Sequence, residues 1–431
     1  MRIAVTNWSI RKVGGAESYL SVIIPELARL GHELAFWAEV DIPADRTKIA
    51  LPGDSPIWCV ATVGADQALE KFRAWKPDVV YGHGLTNPEL ESRTIEAAPG
   101  VLFAHNYSAT CISGDKTFRV PWIKQCTRRF GWQCLLHFYP RRCGGLNPIT
   151  MWRLFRVQAS RLALIGRYKR ILVASEYMRR EYLRHGFVDK MVEVIPLPVW
   201  TGDLLRAHDY EDNKRRSCRA LADKSGSCPK GKQKARKTSH SGCDGYCLLF
   251  VGRMVELKGG LVLLNALSEV ATTLGGSIRM VFVGDGPARS VWEACARRLS
   301  SENRRLRIEF TGWLVDDDFD ALVQSCDLLV LPSLWPEPFG LVGPEAGTRG
   351  LPAAAFDVGG IADWLTDGVN GYLAAGDPPS AEGLAQAIIR CLKDPSNYQR
   401  LRQGAIESAQ RFSLRTHVAG LLNLFDEVIR Q

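Results

Sequence analysis

The sequence predicts an α/β protein of two parallel-sheet domains. Three observations carry that reading. Short apolar runs recur along the chain, each closed by a glycine-rich or polar loop and followed by a helical pattern. The 431 residues correspond to two or three domains at about 150 residues each. One stretch, residues 201–244, interrupts the alternation and separates two halves of the same kind.

The first half opens on Arg2–Thr6, RIAVT, a buried strand. Gly14 and Gly15 make a turn, a helical pattern runs from Glu17 to Leu30, Gly31 ends it, and HELAFWA is a second strand. This is a βαβ unit. PDVVYGH (77–83), GVLFAHN (100–106), ILVASE (171–176) and VEVIPLP (192–198) continue the series. The region of about 107–150 breaks it, being rich in Cys, Trp, Arg and Gly without clear periodicity, and reads as a long insertion. A helix over 151–170 returns the chain to the sheet. Its basic residues alternate with apolar ones, which suits a solvated surface helix or a membrane-facing one.

Residues 201–244 are poor in β-branched and aromatic residues and rich in Lys, Ser, Gly and Arg, the composition of a disordered insert. The second domain opens at YCLLFVGR from Tyr246. RMVFVGDGP, RIEFTGW (307–313), DLLVLPS (327–333), LPAAAFD (351–357) and NGYLAA (370–375) are its further strands. Strands that alternate with helices imply a parallel sheet covered on both faces. Ser413–Gln431 reads as an amphipathic terminal helix. The expected division is therefore 1–200, 201–244, 245–412 and 413–431.

Hydrophobic residues make up 46% and charged residues 23%, ordinary for a soluble globular protein. No run approaches the roughly 20 apolar residues that span a bilayer. The N-terminal segment MRIAVTNWSIRKVGGAE reads as strand and turn rather than signal peptide, so cytoplasmic residence is expected. The net charge is +9, and eleven Lys or Arg against four acids between Arg206 and His240 account for +7 of it. So local an excess does not make a nucleic-acid-binding protein, and no nucleic acid is expected as a partner. Of the twelve cysteines, Cys111, Cys126, Cys134 and Cys143 cluster without any C-x-x-C pair. Reduced thiols are the plain expectation there and a zinc site the sharper one.

Ligands of open parallel sheets bind at the carboxyl ends of the strands. Gly14-Gly15-Ala16-Glu17 follows the first strand and opens a helix, where backbone amides and dipole favour an anion. Gly252-Arg253 and Lys258-Gly259 follow the first strand of the second domain and bring two cations suited to a diphosphate. Glu337-Pro338-Phe339-Gly340-Leu341 leads from a strand into a helix that carries Glu345. A loop glutamate, free amides and a helix glutamate can together hold a polar anionic ligand and ribose hydroxyls. Asp316-Asp317-Asp318 reads as a helix-start acidic turn, not a metal site.

The run PSLWPEPFGLVGPEAGTRGLPAAAFDVGGIADWLTDGVNGYL resembles the donor-site signature of the retaining glycosyltransferases of family 4. VGRMVELKG, FVGDGP, FTGW and GGAE are similar to that family's other landmarks in order and spacing, over nearly the whole chain except about 107–150 and 201–244. The resemblance implies the GT-B fold, two Rossmann-like domains whose sheets face each other across a cleft, with the final helix crossing back to the first domain. It implies a nucleoside-diphosphate sugar of UDP or GDP type as donor, no required cofactor or metal, and retention through front-face attack. Carried over, Arg253 and Lys258 bind the diphosphate, Glu337 the donor sugar, Glu345 the ribose, and the amides of Phe339, Gly340 and Leu341 sugar and phosphate. Gly14 and Gly15 approach the phosphate, Trp313 lies near the base, and His105 contacts the transferred sugar as a base or an orienting group. A glycan or lipid-linked acceptor is implied, in cell-envelope or exopolysaccharide synthesis. That acceptor suggests a peripheral protein at an anionic inner membrane face. IPLPVW (195–200) and the long insertion depart from the usual pattern, and the insertion lies on the acceptor side. A non-catalytic nucleotide-sugar-binding protein and a sugar-nucleotide epimerase of the same architecture are the alternatives.

Overall fold

The computed structural model describes residues 1–44, 46–199, 245–314 and 316–431, with only the backbone at Asp316 and Asp317. The basic run 206–240, and with it the expected insert 201–244, lies outside the described residues.

The first unit contains the chain up to Val199, Pro336–Phe339 and Phe412–Gln431. Its sheet is parallel, in the order β3-β2-β1-β4-β5-β8-β9. The strands are β1 (Arg2–Ser9), β2 (Glu33–Val40), β3 (Ile57–Cys59), β4 (Val79–Gly82), β5 (Gly100–Ala104), β8 (Arg170–Val173) and β9 (Val192–Val194). Apart from the ends, β1 and β2 are buried almost throughout rather than at every second residue, as a parallel sheet covered on both faces requires. β3 has no counterpart in the sequence reading, because three residues are too few to display a period.

The insertion has structure of its own. Thr117–Phe118 (β6) and Lys124–Gln125 (β7) form a small antiparallel hairpin, and Gln133–Phe138 is a helix. These elements are two to six residues long, which explains the missing periodicity. Ile112, Phe138 and Cys143 are the core of this piece. Lys116 anchors it: its ammonium is fully buried, donates to the Arg128 carbonyl at 2.6 Å, and pairs with the equally buried Glu181. The helix expected over 151–170 spans Pro148–Ile165. Asn147 caps it by accepting from the amides of Ile149 and Thr150, and Pro148 occupies its first turn, a start signal stronger than the apolar pattern.

The closing helix, Leu414–Arg430, belongs to the first unit. Val199 donates its amide to the Phe412 carbonyl at 2.8 Å, and His417 bonds Tyr19 at 2.7 Å.

The second unit holds a six-stranded parallel sheet in the order β12-β11-β10-β13-β14-β15. Its strands are β10 (Gly245–Val251), β11 (Ser277–Val283), β12 (Leu306–Gly312), β13 (Leu328–Leu331), β14 (Ala353–Phe356) and β15 (Gly371–Ala374). In each sheet the order reverses beside the first strand, between β1 and β4 and between β10 and β13. Such a switch point opens a crevice at the strand ends. Both units are α/β and Rossmann-like.

Candidate active site

In the first unit Gly14 caps the helix Gly15–Arg29. Its amide donates to the Glu17 carboxylate at 2.8 Å. The other oxygen of that carboxylate accepts from Asn7 Nδ2 at 3.0 Å and Trp8 Nε1 at 2.9 Å. Glu17 is 3% exposed, so this buried charge is stabilised by three donors and fixes the glycine loop on the end of β1. A Cβ at Gly15 would meet nothing within 4 Å among the described residues. The loop's free side is open to a ligand.

His83 follows β4 and His105 follows β5. His83 Nδ1 and His105 Nε2 are 2.8 Å apart, and the rings stack with centroids 5.1 Å apart. Burial pushes His105 down to about 3 and His83 well below its ordinary value. Each also faces another histidine, His417 for His105 and His105 for His83. Glu337 and Phe339 belong to this unit, and both are buried. Phe339 packs edge-on against Phe412, with centroids 5.4 Å apart.

In the second unit Arg253 is exposed just beyond β10, and Lys258 ends the turn Glu256–Lys258. Two loops hold this segment. Met254 donates to the Asp285 carbonyl at 2.8 Å and accepts from Ala288 at 2.9 Å, tying it to the loop after β11. Leu334 donates to the Leu257 carbonyl at 2.8 Å, tying it to the loop after β13. Gly259 has φ +72° and lies so close to the Pro332 carbonyl that a Cβ would collide with it. The Lys258 ammonium stands 5.6 Å from the Trp335 ring centre. Trp313, 57% exposed, closes the row of strand ends beside Gly284.

Gly340 and Leu341 lead into the short helix Val342–Gly347. Their amides have no acceptor among the described residues. Glu345 lies in the first turn of that helix, and burial raises its carboxyl to about 7 against the opposing pull of Arg349. The site residues read from the sequence thus divide. Gly14, Gly15, His105, Glu337 and Phe339 fall in the first unit, and Arg253, Lys258, Trp313, Gly340, Leu341 and Glu345 in the second.

Cys111, Cys126, Cys134 and Cys143, the zinc candidates of the insertion, are free cysteines. Among the described residues no three His, Cys, Asp or Glu are placed to hold a metal ion. The thiols face separate partners: Cys111 Sγ accepts from the Lys116 amide at 3.3 Å, and Cys143 Sγ donates to the His137 carbonyl at 3.7 Å. Burial raises the thiols of Cys126 and Cys134 and pushes Cys143 up to about 12, which favours the protonated thiol.

The family description "Glycosyltransferase Family 4" matches residues 13–202, and "Glycosyl transferases group 1" matches residues 231–408. The chain belongs to the family 4-type glycosyltransferases. Its GT-B fold is shared with HepE of Anabaena, solved with UDP and glucose, at TM-score 0.65 and 17% identity, covering 98% of this chain and 99% of that one. It is also shared with WaaG, a glycosyltransferase of lipopolysaccharide biosynthesis, at TM-score 0.64 and 17% identity, covering 98% and 99%. A 2-deoxystreptamine glucosyltransferase of Streptomyces kanamyceticus is 35% identical over 40% of this chain and 43% of its own length. A D-inositol 3-phosphate glycosyltransferase of Salinispora tropica is 30% identical over 53% and 49%. The matched segments span less than half the length of these curated relatives.

In this family 4-type glycosyltransferase the sequence reading named Glu17 only as part of the glycine motif and left Asn7, Trp8, His83 and His417 out of the candidate site. A signal existed for Glu17 alone, since an acid three residues after a helix cap is half of a capping box.

Proposed function

We propose that this protein transfers a hexose from a UDP- or GDP-type nucleotide sugar to a glycan or lipid-linked acceptor, with retention and without a metal ion. One observation carries the reading. Lys258 sits on a turn that is hydrogen-bonded to the loop entering PEPFGL, and beyond it the amides of Gly340 and Leu341 lack acceptors among the described residues. A cation and open amides on one set of strand ends suit a diphosphate. When the bond from the sugar's anomeric carbon to the diphosphate oxygen breaks, its electron pair leaves with the diphosphate. Arg253 and Lys258 stabilise that growing charge. Glu337 and His105 orient the sugar, Glu345 accepts from the ribose, and Trp313 flanks the base.

Thermal unfolding with UDP, GDP, ADP and dTDP tests the donor site. A ligand that binds only the folded state at 100 times its dissociation constant adds about 2.7 kcal/mol. The expected result is a rise of several degrees with UDP or GDP alone. No rise with any of the four at millimolar concentration refutes the donor assignment.

The acceptor side meets an anionic membrane through the insertion. No Asp or Glu occurs between Asp115 and Glu176, a span dense in Arg and Lys. Trp132 at the cap of one helix and Leu136 on it, and Ile149, Trp152, Arg153 and Arg156 on the next, are exposed, and the two helices are in contact. Exposed tryptophans flanked by arginines suit the interface of anionic lipid. None of the described helices is long and apolar enough to cross a membrane. Co-sedimentation at low salt should show binding to vesicles containing phosphatidylglycerol but not to pure phosphatidylcholine, weakened about tenfold by a Trp132→Ala, Trp152→Ala double substitution. Equal recovery with both vesicles would rule this partner out.

A further inference from the structure

We propose that His83 fixes His105 as the neutral Nδ1–H tautomer, so that His105 donates a hydrogen bond to the transferred sugar and does not act as a base. The role at the sugar rests on the reading above; the tautomer itself does not.

One hydrogen lies between His83 Nδ1 and His105 Nε2, 2.8 Å apart. If His105 supplied it, a neutral His83 would carry its own hydrogen on Nε2. That atom is buried and has no hydrogen-bond partner among the described residues. Its polar neighbours are committed to one another: Tyr19 OH bonds Tyr81 OH at 2.6 Å and His417 Nε2 at 2.7 Å, and His417 Nδ1 bonds the Pro196 carbonyl at 2.7 Å. Aromatic rings flank His83, with Tyr81 edge-on at 4.3 Å and Phe103 stacked at 6.3 Å between centroids. A buried N–H without an acceptor is the costlier orphan, and a contact with a ring face recovers only part of the loss.

With the hydrogen on His83 Nδ1 the difficulty disappears. His83 donates to His105 Nε2, and only a lone pair of His83 is left in the aromatic pocket. His105 then carries its hydrogen on Nδ1, which is not among the buried unpartnered atoms, and the residue is partly exposed. Burial disfavours a second proton on either ring. The second nitrogen of His105 therefore presents an N–H, and the ring's lone pair is spent on His83. His83 is a positioning residue at the end of β4, and His105 is the group that meets the sugar.

Long-range proton–nitrogen correlation spectra of the full chain with ¹⁵N-labelled histidine read the tautomer directly, with His105→Asn supplying the assignment. The expected pattern is a protonated, pyrrole-type Nδ1 and an unprotonated, pyridine-type Nε2 on His105 at neutral pH. The reverse pattern, or averaged signals, overturns the proposal. These spectra decide it even if no donor is turned over, which keeps its failure distinct from that of the proposed function. Kinetics give a second reading. His83→Asn places an amide N–H where Nδ1 was and should keep kcat within about threefold. His83→Asp offers only an acceptor, reverses the tautomer, and should lower kcat/KM about tenfold to a hundredfold, the scale for losing one oriented donor. An active His83→Asp beside an inactive His83→Asn would contradict the assignment.

Discussion

Lys258→Ala is expected to lower kcat/KM for sugar transfer by about 10²–10³-fold, with most of the loss in kcat, because the ammonium meets charge that grows on the diphosphate as the bond breaks. The fold should survive the change. The turn is held by Leu257, which is buried and bonded to Leu334, and by Gly259 against Pro332. None of these contacts involves the lysine side chain. Steady-state rates with the nucleotide sugar that shows thermal stabilisation, together with circular dichroism of the variant, separate chemistry from folding. A Lys258→Ala enzyme with wild-type kcat would remove the lysine from the leaving-group role. Lys258→Arg should recover only part of the rate, because a planar guanidinium does not replace a compact point charge.

Nucleotide affinity should rise with pH through about 7, where Glu345 titrates in the free protein. The ribose hydroxyls donate, so they select the ionised carboxylate. At pH 5.5 that form is scarce, and binding should be about ten- to thirtyfold weaker than at pH 8. Glu345→Gln should abolish this part of the pH dependence. The titration of the nucleotide's own phosphate is common to both proteins and cancels in the comparison. The sign for stability is opposite. Burial raises the carboxyl above its unfolded value, so its contribution to stability is full below that value and is lost as pH rises through about 7. Glu345→Gln should therefore gain stability relative to wild type between pH 5 and pH 8, by about 1–2 kcal/mol after discounting for partial exposure. Calorimetric titrations at the two pH values check the affinity, and denaturant melts check the stability. An affinity in the wild type no more pH-dependent than in Glu345→Gln would take Glu345 out of the ribose site.

The sequence by itself determined the α/β class, the βα alternation and the loops at the strand ends. Each of these is written in neighbouring residues: RIAVT before Gly14-Gly15, YCLLFV before Gly252-Arg253, DLLVLPS before Glu337. Apolar runs mark parallel strands wherever they fold, and a glycine after a run marks the turn that faces a ligand. Arg253, Lys258 and Glu345 could be named as candidates for that reason.

Only the tertiary structure decided what those loops rest on. Asn7 and Trp8 meet Glu17 across a turn, His83 meets His105 across a 22-residue separation, and Tyr19 meets His417 across 398 residues. Lys116 became a buried anchor only when the helix Glu176–Arg184 brought Glu181 to it. In a parallel sheet, consecutive strands are joined by crossovers through helices, so the groups that share one end of the sheet come from distant parts of the chain. A local pattern marks each strand end singly. Which side chains meet there depends on strand order, and strand order is a property of the packed sheet.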